Sequence, residues 1–343
     1  MKAPNQPLQP RRSAGEGRSA VVRVSVAAPG RSRSLVRGRV ARGLRVLCLG
    51  DLVLDVLTSP SEPLVVGSDV AGTIRFRAGG SAANTARAVA RLGGRATFVG
   101  AIGDDAIGRR LAGSLRADGV RCHLVRAAGP AAPTARLVAL LGPRGERSFV
   151  TERGAADRLA ERDLKHAWFH GLAALHLPAY ALLGERLRGA AIAGARLAHE
   201  RGAIVSVDLA SSAPLARMGR QMARGGLSDL GPDLLFGTAA EASVLADHDG
   251  ALLDLAPLVV VRAGHAGSRI LIRTGRGDRR LEIAIHPLRT TDSTGAGDAF
   301  DAGFLLSWLR DRGSGDPELR RAALAGHEAA ETFLREPRPE LAL

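Results

Sequence analysis

The stretch Asp292-Ser293-Thr294-Gly295-Ala296-Gly297-Asp298 sets two glycines and a carboxylate side by side. An apolar alternation at Leu281, Ile283 and Ile285 precedes it. After it, Phe300, Gly303, Phe304, Leu306 and Leu309 recur at helical spacing. The pattern predicts strand, polar turn and helix. Thr294 reads as the N-cap. Glycines let a ligand approach the backbone. The first N–H groups of a helix lack partners and carry its positive dipole end, so they suit an anion such as phosphate. Asp298 then lies in the first turn beside that anion. A carboxylate there makes chemical sense as a base, taking the proton of a hydroxyl that attacks a phosphoryl group. Acidic residues also favour first turns through the dipole alone, so the stretch by itself leaves a structural role open.

A second helix start of the same kind is Gly79-Gly80-Ser81-Ala82-Ala83-Asn84. Ala82, Ala83, Ala86, Val89, Ala90 and Leu92 mark its buried face. Ser81 reads as its N-cap. Asn84 falls in the first turn, where an amide both donates to and accepts from a polyol. The alternative is a surface polar residue beside Arg87 and Arg91. Asp55 follows the apolar run Leu44 to Gly50, just past a strand end, where open α/β sheets gather ligands. A loop or cap carboxylate is the other reading.

These residues need a scaffold. Strand-like runs at 44–50, 96–100, 173–177, 203–207, 234–236 and 258–261 alternate with helical patterns, among them one opened by Asp104 and one over 182–200. Such alternation predicts a doubly wound, mainly parallel α/β sheet. Two hairpin-like insertions, at 60–77 and 134–151, do not fit that sheet and form a small β lid. The expected organisation is a basic tail at 1–43, one domain at 44–335 and a short tail at 336–343.

The net charge of +14 over 343 residues does not point to nucleic acid. Residues 1–43 hold ten Lys/Arg and one Glu, which leaves only +5 for the rest. The tail is Arg-, Ser-, Gly- and Pro-rich and reads as disordered. An organelle transit peptide, a start placed too far upstream and a nucleic-acid-binding arm are its other readings. With 3% aromatic residues a base-stacking surface is not expected. No apolar run is long enough to span a membrane. Cys48 and Cys122 imply no disulfide framework, and a reducing cytoplasm is the expected location. His166, His170 and His176 lack the spacing of a zinc site. No Gly-x-Gly-x-x-Gly follows the first strand and no P-loop motif occurs, which sets hydride transfer and P-loop chemistry aside.

Gly79 to Ala86, running on to Arg91-Leu92-Gly93 and Val99 to Asp105, resembles the N-terminal signature of the ribokinase-like (PfkB) carbohydrate kinases. Asp292 to Phe300 resembles their C-terminal signature. The likeness covers roughly residues 44–330 in order and spacing. It implies transfer of the ATP γ-phosphoryl group to a hydroxyl, usually a hydroxymethyl, of a sugar or nucleoside. Asp298 matches the catalytic base, and Gly295, Ala296 and Gly297 the anion hole. Asp55, Gly79, Gly80 and Asn84 match positions that hold sugar hydroxyls. Gly264 and Gly267 match the nucleotide-side loop, and His327 falls in the helix flanking the adenine. Glu241 corresponds to a residue that organises Mg²⁺-bound water, and Asp292 to one linked to a monovalent cation such as K⁺. A homodimer through the lid is the expected assembly. Thr238 stands where the family usually has Asn. The rival readings are a nucleoside kinase of the same fold, with pseudouridine and adenosine types as examples, and a sugar- or nucleotide-sensing protein without turnover.

Overall fold

The computed structural model describes residues 43–65, 67–129, 132–141, 147–285, 293–337 and 339–342. In chain order the strands are β1 Arg45–Leu49, β2 Val53–Pro60, β3 Gly72–Gly79, β4 Arg95–Gly103, β5 Arg121–Ala127, β6 Arg136–Leu141, β7 Arg147–Glu152, β8 Ala174–Pro178, β9 Ile204–Asp208, β10 Leu234–Thr238, β11 Leu258–Arg262, β12 Ser268–Ile272 and β13 Arg279–Ile283. The helices are α1 Ser81–Arg91, α2 Ala106–Ala117, α3 Glu185–His199, α4 Ser212–Met218, α5 Arg220–Leu230, α6 Ala239–Leu245, α7 Asp249–Leu253, α8 Ala296–Asp311 and α9 Asp316–Arg335.

The large sheet has the order β13-β12-β11-β10-β9-β8-β1-β4-β5. It is parallel from β5 to β11, and β12 and β13 close one edge antiparallel. The two-residue period of a strand sorts its side chains between two cores. In β1, Val46 and Cys48 face the core under α1, α2, α8 and α9, while Leu47 and Leu49 face the core under α3, α5, α6 and α7. Burial on both faces is why these strands read as unbroken apolar runs. Phe236 of β10 meets Phe300 and Phe304 of α8 edge-on, at 6.3 and 5.4 Å between ring centres. That contact seats α8 against the sheet.

A second sheet, ordered β3-β2-β6-β7, forms the lid. Its β2 strand pairs antiparallel with β3 and parallel with β6. The first lid segment, expected at 60–77, begins earlier than that: its strands are Val53–Pro60 and Gly72–Gly79. Asp55 accordingly lies inside a lid strand, opposite Arg77, and not just past a strand end.

The helix caps also differ from expectation. Gly295 (φ 85°) caps α8 instead of Thr294, and Gly80 (φ 98°) caps α1 instead of Ser81. Glycine adopts the positive φ of each cap without steric cost, so α1 begins one residue earlier and α8 one residue later than the hydroxyl pattern suggests. Asp105, not Asp104, caps α2, and its Oδ1 accepts the Gly108 N–H at 2.7 Å. Among the described residues no helix is long and apolar enough to cross a membrane.

Candidate active site

The sheet order reverses at β1, which pairs with β4 on one side and β8 on the other. Ligands of open α/β sheets bind at such a point, beyond the carboxyl ends of the strands. Those ends here carry Asp51 just after β1, Asp208 on β9, Thr238 on β10 and Arg262 on β11. The glycine caps of α1 and α8 bring their first turns to the same place.

The two first turns are hydrogen-bonded to each other through Asp298. Ser81 Oγ donates to Asp298 Oδ1 at 2.7 Å, and Asn84 Nδ2 donates to Oδ2 at 3.0 Å. Asn84 Oδ1 in turn accepts from Arg87 Nη1 at 3.2 Å, so the amide orientation is fixed from behind. Asp298 is only 9% exposed. Burial disfavours its charged form, and the neighbouring charge of Asp208 adds to this. The Ser81 and Asn84 hydrogen bonds and Arg262 oppose them, and the net result is a pKa pushed up to about 7. A carboxyl poised there is close to the ideal for a proton acceptor at neutral pH.

The glycines at the start of α1 are required by contact. A Cβ on Gly79 would fall 2.1 Å from Asp55 Oδ2, and one on Gly80 would fall 2.4 Å from the Asp51 carbonyl. Asp55 and Asp51 thus pack closely against the start of α1, whose Asn84 reaches Asp298.

The start of α8 also meets a cluster that the sequence reading did not assign. Arg262, its side chain 11% exposed, forks between Asp208 Oδ1 at 2.7 Å and Asp301 Oδ1 at 2.5 Å. It also donates to the Gly297 carbonyl at 3.2 Å and lies 3.9 Å from Glu241. Burial alone would favour its neutral form, but Asp208, Asp301 and Glu241 hold it firmly protonated. One guanidinium thus ties together the carboxyl ends of β9 and β11, the first turn of α6 and the first turns of α8. Asp301 sits one helical turn after Asp298, a spacing that places both on one face. That spacing, and an Arg ending the apolar run of β11, were the available signals.

Thr238 and Glu241 form a capping box at the start of α6. Glu241 Oε2 accepts the Thr238 N–H at 2.7 Å, and Thr238 Oγ1 accepts the Glu241 N–H at 3.3 Å. Burial and Asp208 push the Glu241 pKa up against the pull of the Thr238 hydrogen bonds and Arg262. Among the described residues no group of three His, Cys, Asp or Glu side chains is placed to hold a metal ion. Of the three residues expected to form the anion hole, Ala296 already spends its N–H on the Ser293 carbonyl at 3.1 Å. Helical geometry leaves the N–H groups of Gly297 and Asp298 without partners inside the helix.

Gly264 and Gly267 form the turn between β11 and β12. At Gly267 a Cβ would lie 1.9 Å from the Ile283 carbonyl, so backbone packing by itself requires this glycine. His327 of α9 contacts Ser268 Oγ through Nε2 at 3.0 Å and meets Phe300 edge-on at 4.9 Å. Burial lowers its pKa to about 4, so it is neutral. Asp292 lies outside the described residues.

Asp51 was also passed over. It is 5% exposed, and its Oδ1 has no hydrogen-bond partner among the described residues. Its Oδ2 lies 3.5 Å from Arg153 Nη1, and Arg153 also donates to Asp157 at 2.7 Å. Burial, together with the charges of Asp51, Asp298 and Asp208, raises the nearby Tyr180 phenol to about 12.

The family model for pfkB family carbohydrate kinases matches residues 44–340. The chain belongs to that family. It is therefore a phosphotransferase with an alcohol group as acceptor. It is 32% identical over 283 residues to fructokinase-1 of Oryza sativa subsp. japonica, covering 78% of this chain and 84% of the relative. It is 29% identical over 292 residues to the fructokinase of Solanum tuberosum, covering 83% and 87%. Among solved structures, the adenosine kinase of Sinorhizobium meliloti superposes with a TM-score of 0.70 at 26% identity, over 87% of this chain and 96% of that one. The ATP-bound fructokinase of Xylella fastidiosa gives 0.68 at 26%, over 86% and 93%. These PfkB kinases share the ribokinase-like fold, a large mainly parallel sheet with a smaller sheet as its lid.

Proposed function

We propose that this PfkB kinase transfers the γ-phosphoryl group of ATP to a hydroxymethyl of a small sugar, with Asp298 as the base. The carrying observation is the paired grip on Asp298 by Ser81 and Asn84, from a helix start that also lines the acceptor side. Asp55, Asn84 and the orphaned Oδ1 of Asp51 orient the sugar hydroxyls so that one faces Asp298. Asp298 accepts the proton as that oxygen attacks phosphorus. The amides of Gly295 and Gly297 at the start of α8 would face the phosphoryl oxygens and stabilise the charge spread over them, without that of Ala296, which Ser293 already holds. Mg²⁺, when bound, would neutralise phosphate charge. Glu241 would hold it through water, since its Oε2 is committed to the Thr238 N–H. Gly264, Gly267 and His327 border the nucleotide side, and K⁺ near Asp292 is part of the same reading. Lid closure would exclude water and limit wasteful ATP hydrolysis.

The fructokinase relatives favour a ketose such as fructose as acceptor. A nucleoside kinase is the second reading, favoured by the likeness to the adenosine kinase at the same identity as to the fructokinase structure. The half-to-mostly exposed apolar side chains Ile74, Phe149 and Val150 on the lid support a homodimer through that sheet.

The test is an ATP-consumption screen over ketoses, aldoses and nucleosides with wild type and Asp298→Asn. The expected result is turnover on a sugar, abolished in the variant while ATP and sugar still bind. Near-normal turnover by the variant would remove Asp298 from its role. Ligand binding without turnover by wild type would instead mean a sensor.

A further inference from the structure

A separate cavity of about 640 Å³ opens at the far edge of the large sheet, where β5 is the last strand. None of its walls belongs to the active site. Arg109 and Arg116 reach into it from α2, and Arg126 from β5. Arg162 and Lys165 close it from the segment around the 3₁₀ turns Glu161–Asp163 and His166–Phe169. Five cationic side chains therefore converge on one concave surface.

Their countercharges are few. Arg109 and Arg126 share Asp104, at 3.6 and 3.1 Å. Asp163, the acidic residue in the wall, has its Oδ2 engaged by the Ala160 N–H at 2.9 Å. Among the described residues, Arg116, Arg162 and Lys165 have no carboxylate within ion-pairing distance. The cavity also has a rigid aromatic wall. His123 stacks on Trp168 at 4.4 Å with the rings 8° from parallel. Burial lowers the His123 pKa, and the charges of Arg121, Lys165 and Arg45 lower it further, as expected beside concentrated positive charge.

We propose that this cavity is a binding site for a small, multiply charged phosphorylated anion, held by Arg116, Arg162 and Lys165 against the Trp168 wall. Guanidinium groups suit the planar, paired recognition of phosphate oxygens. The volume fits a single small ligand. Nucleic acid is disfavoured because it needs an extended basic stripe, whereas here the charge converges on one hollow. One face of Trp168 is already covered by His123, so no nucleobase is required for the fit.

The experiment uses the full chain and inorganic pyrophosphate, read by the change in tryptophan emission. Saturable binding is expected, weakened roughly tenfold or more in Arg162→Glu/Lys165→Glu. The emission change is expected to vanish in Trp168→Phe, which leaves Trp308 as the remaining tryptophan. Kinase turnover should persist in the charge-reversal variant, because neither residue lines the catalytic cleft. Equal binding by that variant, a full emission change in Trp168→Phe, or displacement of pyrophosphate by a short single-stranded oligonucleotide at lower concentration would each overturn the proposal.

Discussion

Ser81 Oγ donates to Asp298 Oδ1 at 2.7 Å, joining the first turn of α1 to the first turn of α8 across 217 residues of sequence. The bond exists because Gly80 takes the capping position, which leaves the Ser81 hydroxyl available to reach across. It stabilises the ionised carboxylate and so works against burial. Ser81→Ala should raise the Asp298 pKa and shift the acid limb of kcat/KM to higher pH, by about one unit. Activity well above that limb should fall much less than in Asp298→Asn. An unmoved limb would show that Ser81 does not tune the base.

The pH profile of the wild type follows from the same carboxyl. A base must be ionised to accept a proton, so kcat/KM should rise about tenfold per pH unit below the Asp298 pKa of about 7 and level off above it. Stability should run the other way. The folded-state pKa lies above the ordinary 3.8, so the folded chain binds more protons than the unfolded chain between those values. This contribution is fully present at acid pH and is lost as pH rises through about 7. Asp298→Asn removes the titrating group. Relative to wild type it should gain stability at pH 8 over pH 5, by ~2–4 kcal/mol, measured by denaturant unfolding at the two pH values. A difference that does not change with pH would contradict the raised pKa.

Much of this was legible in the chain itself. The alternation of apolar runs announced the large sheet, because strands buried on both faces need uninterrupted apolar residues. The two glycine-rich helix starts announced the cleft, because a glycine-bounded first turn is a local feature. What stayed hidden was non-local. Arg262, Asp208 and Asp301 come from three separate elements, and nothing near any one of them signals the other two. Strand β5 was missed because its sequence, RCHLVRA, mixes charge with apolar residues at a sheet edge beside a basic cavity. The Ser81 contact was missed for a related reason. A Ser before a helix reads as a cap, and only the left-handed backbone at Gly80 shows that it is not.

Arg262 is the residue whose loss should damage the fold most. Replacing it with Met leaves Asp208, Asp301 and Glu241 buried without their shared cation. Breaking such a buried network by removing one partner costs about 3–5 kcal/mol. Arg262→Met should therefore lower Tm by many degrees, while Arg262→Lys keeps the charge, loses the fork and falls between. The loss in Arg262→Met should shrink at acid pH, where the orphaned carboxyls take up protons. Thermal unfolding at pH 5 and 8 checks both points, and equal stability of all three proteins would mean that the guanidinium is not the tie between these elements.

Thr238 separates a structural contribution from a functional one. Its hydroxyl and backbone N–H complete a capping box with Glu241. Thr238→Ala should cost ~1 kcal/mol through the lost cap, whereas Thr238→Asn keeps a good capping side chain and should stay within ~0.5 kcal/mol of wild type. The amide also offers donors that a hydroxyl lacks on the side where Glu241 would hold metal-bound water. Thr238→Asn should therefore lower KM for ATP severalfold at fixed Mg²⁺, with kcat little changed, while Thr238→Ala should raise it. If KM for ATP is the same in all three proteins, Thr238 serves α6 alone, and the nucleotide is positioned without it.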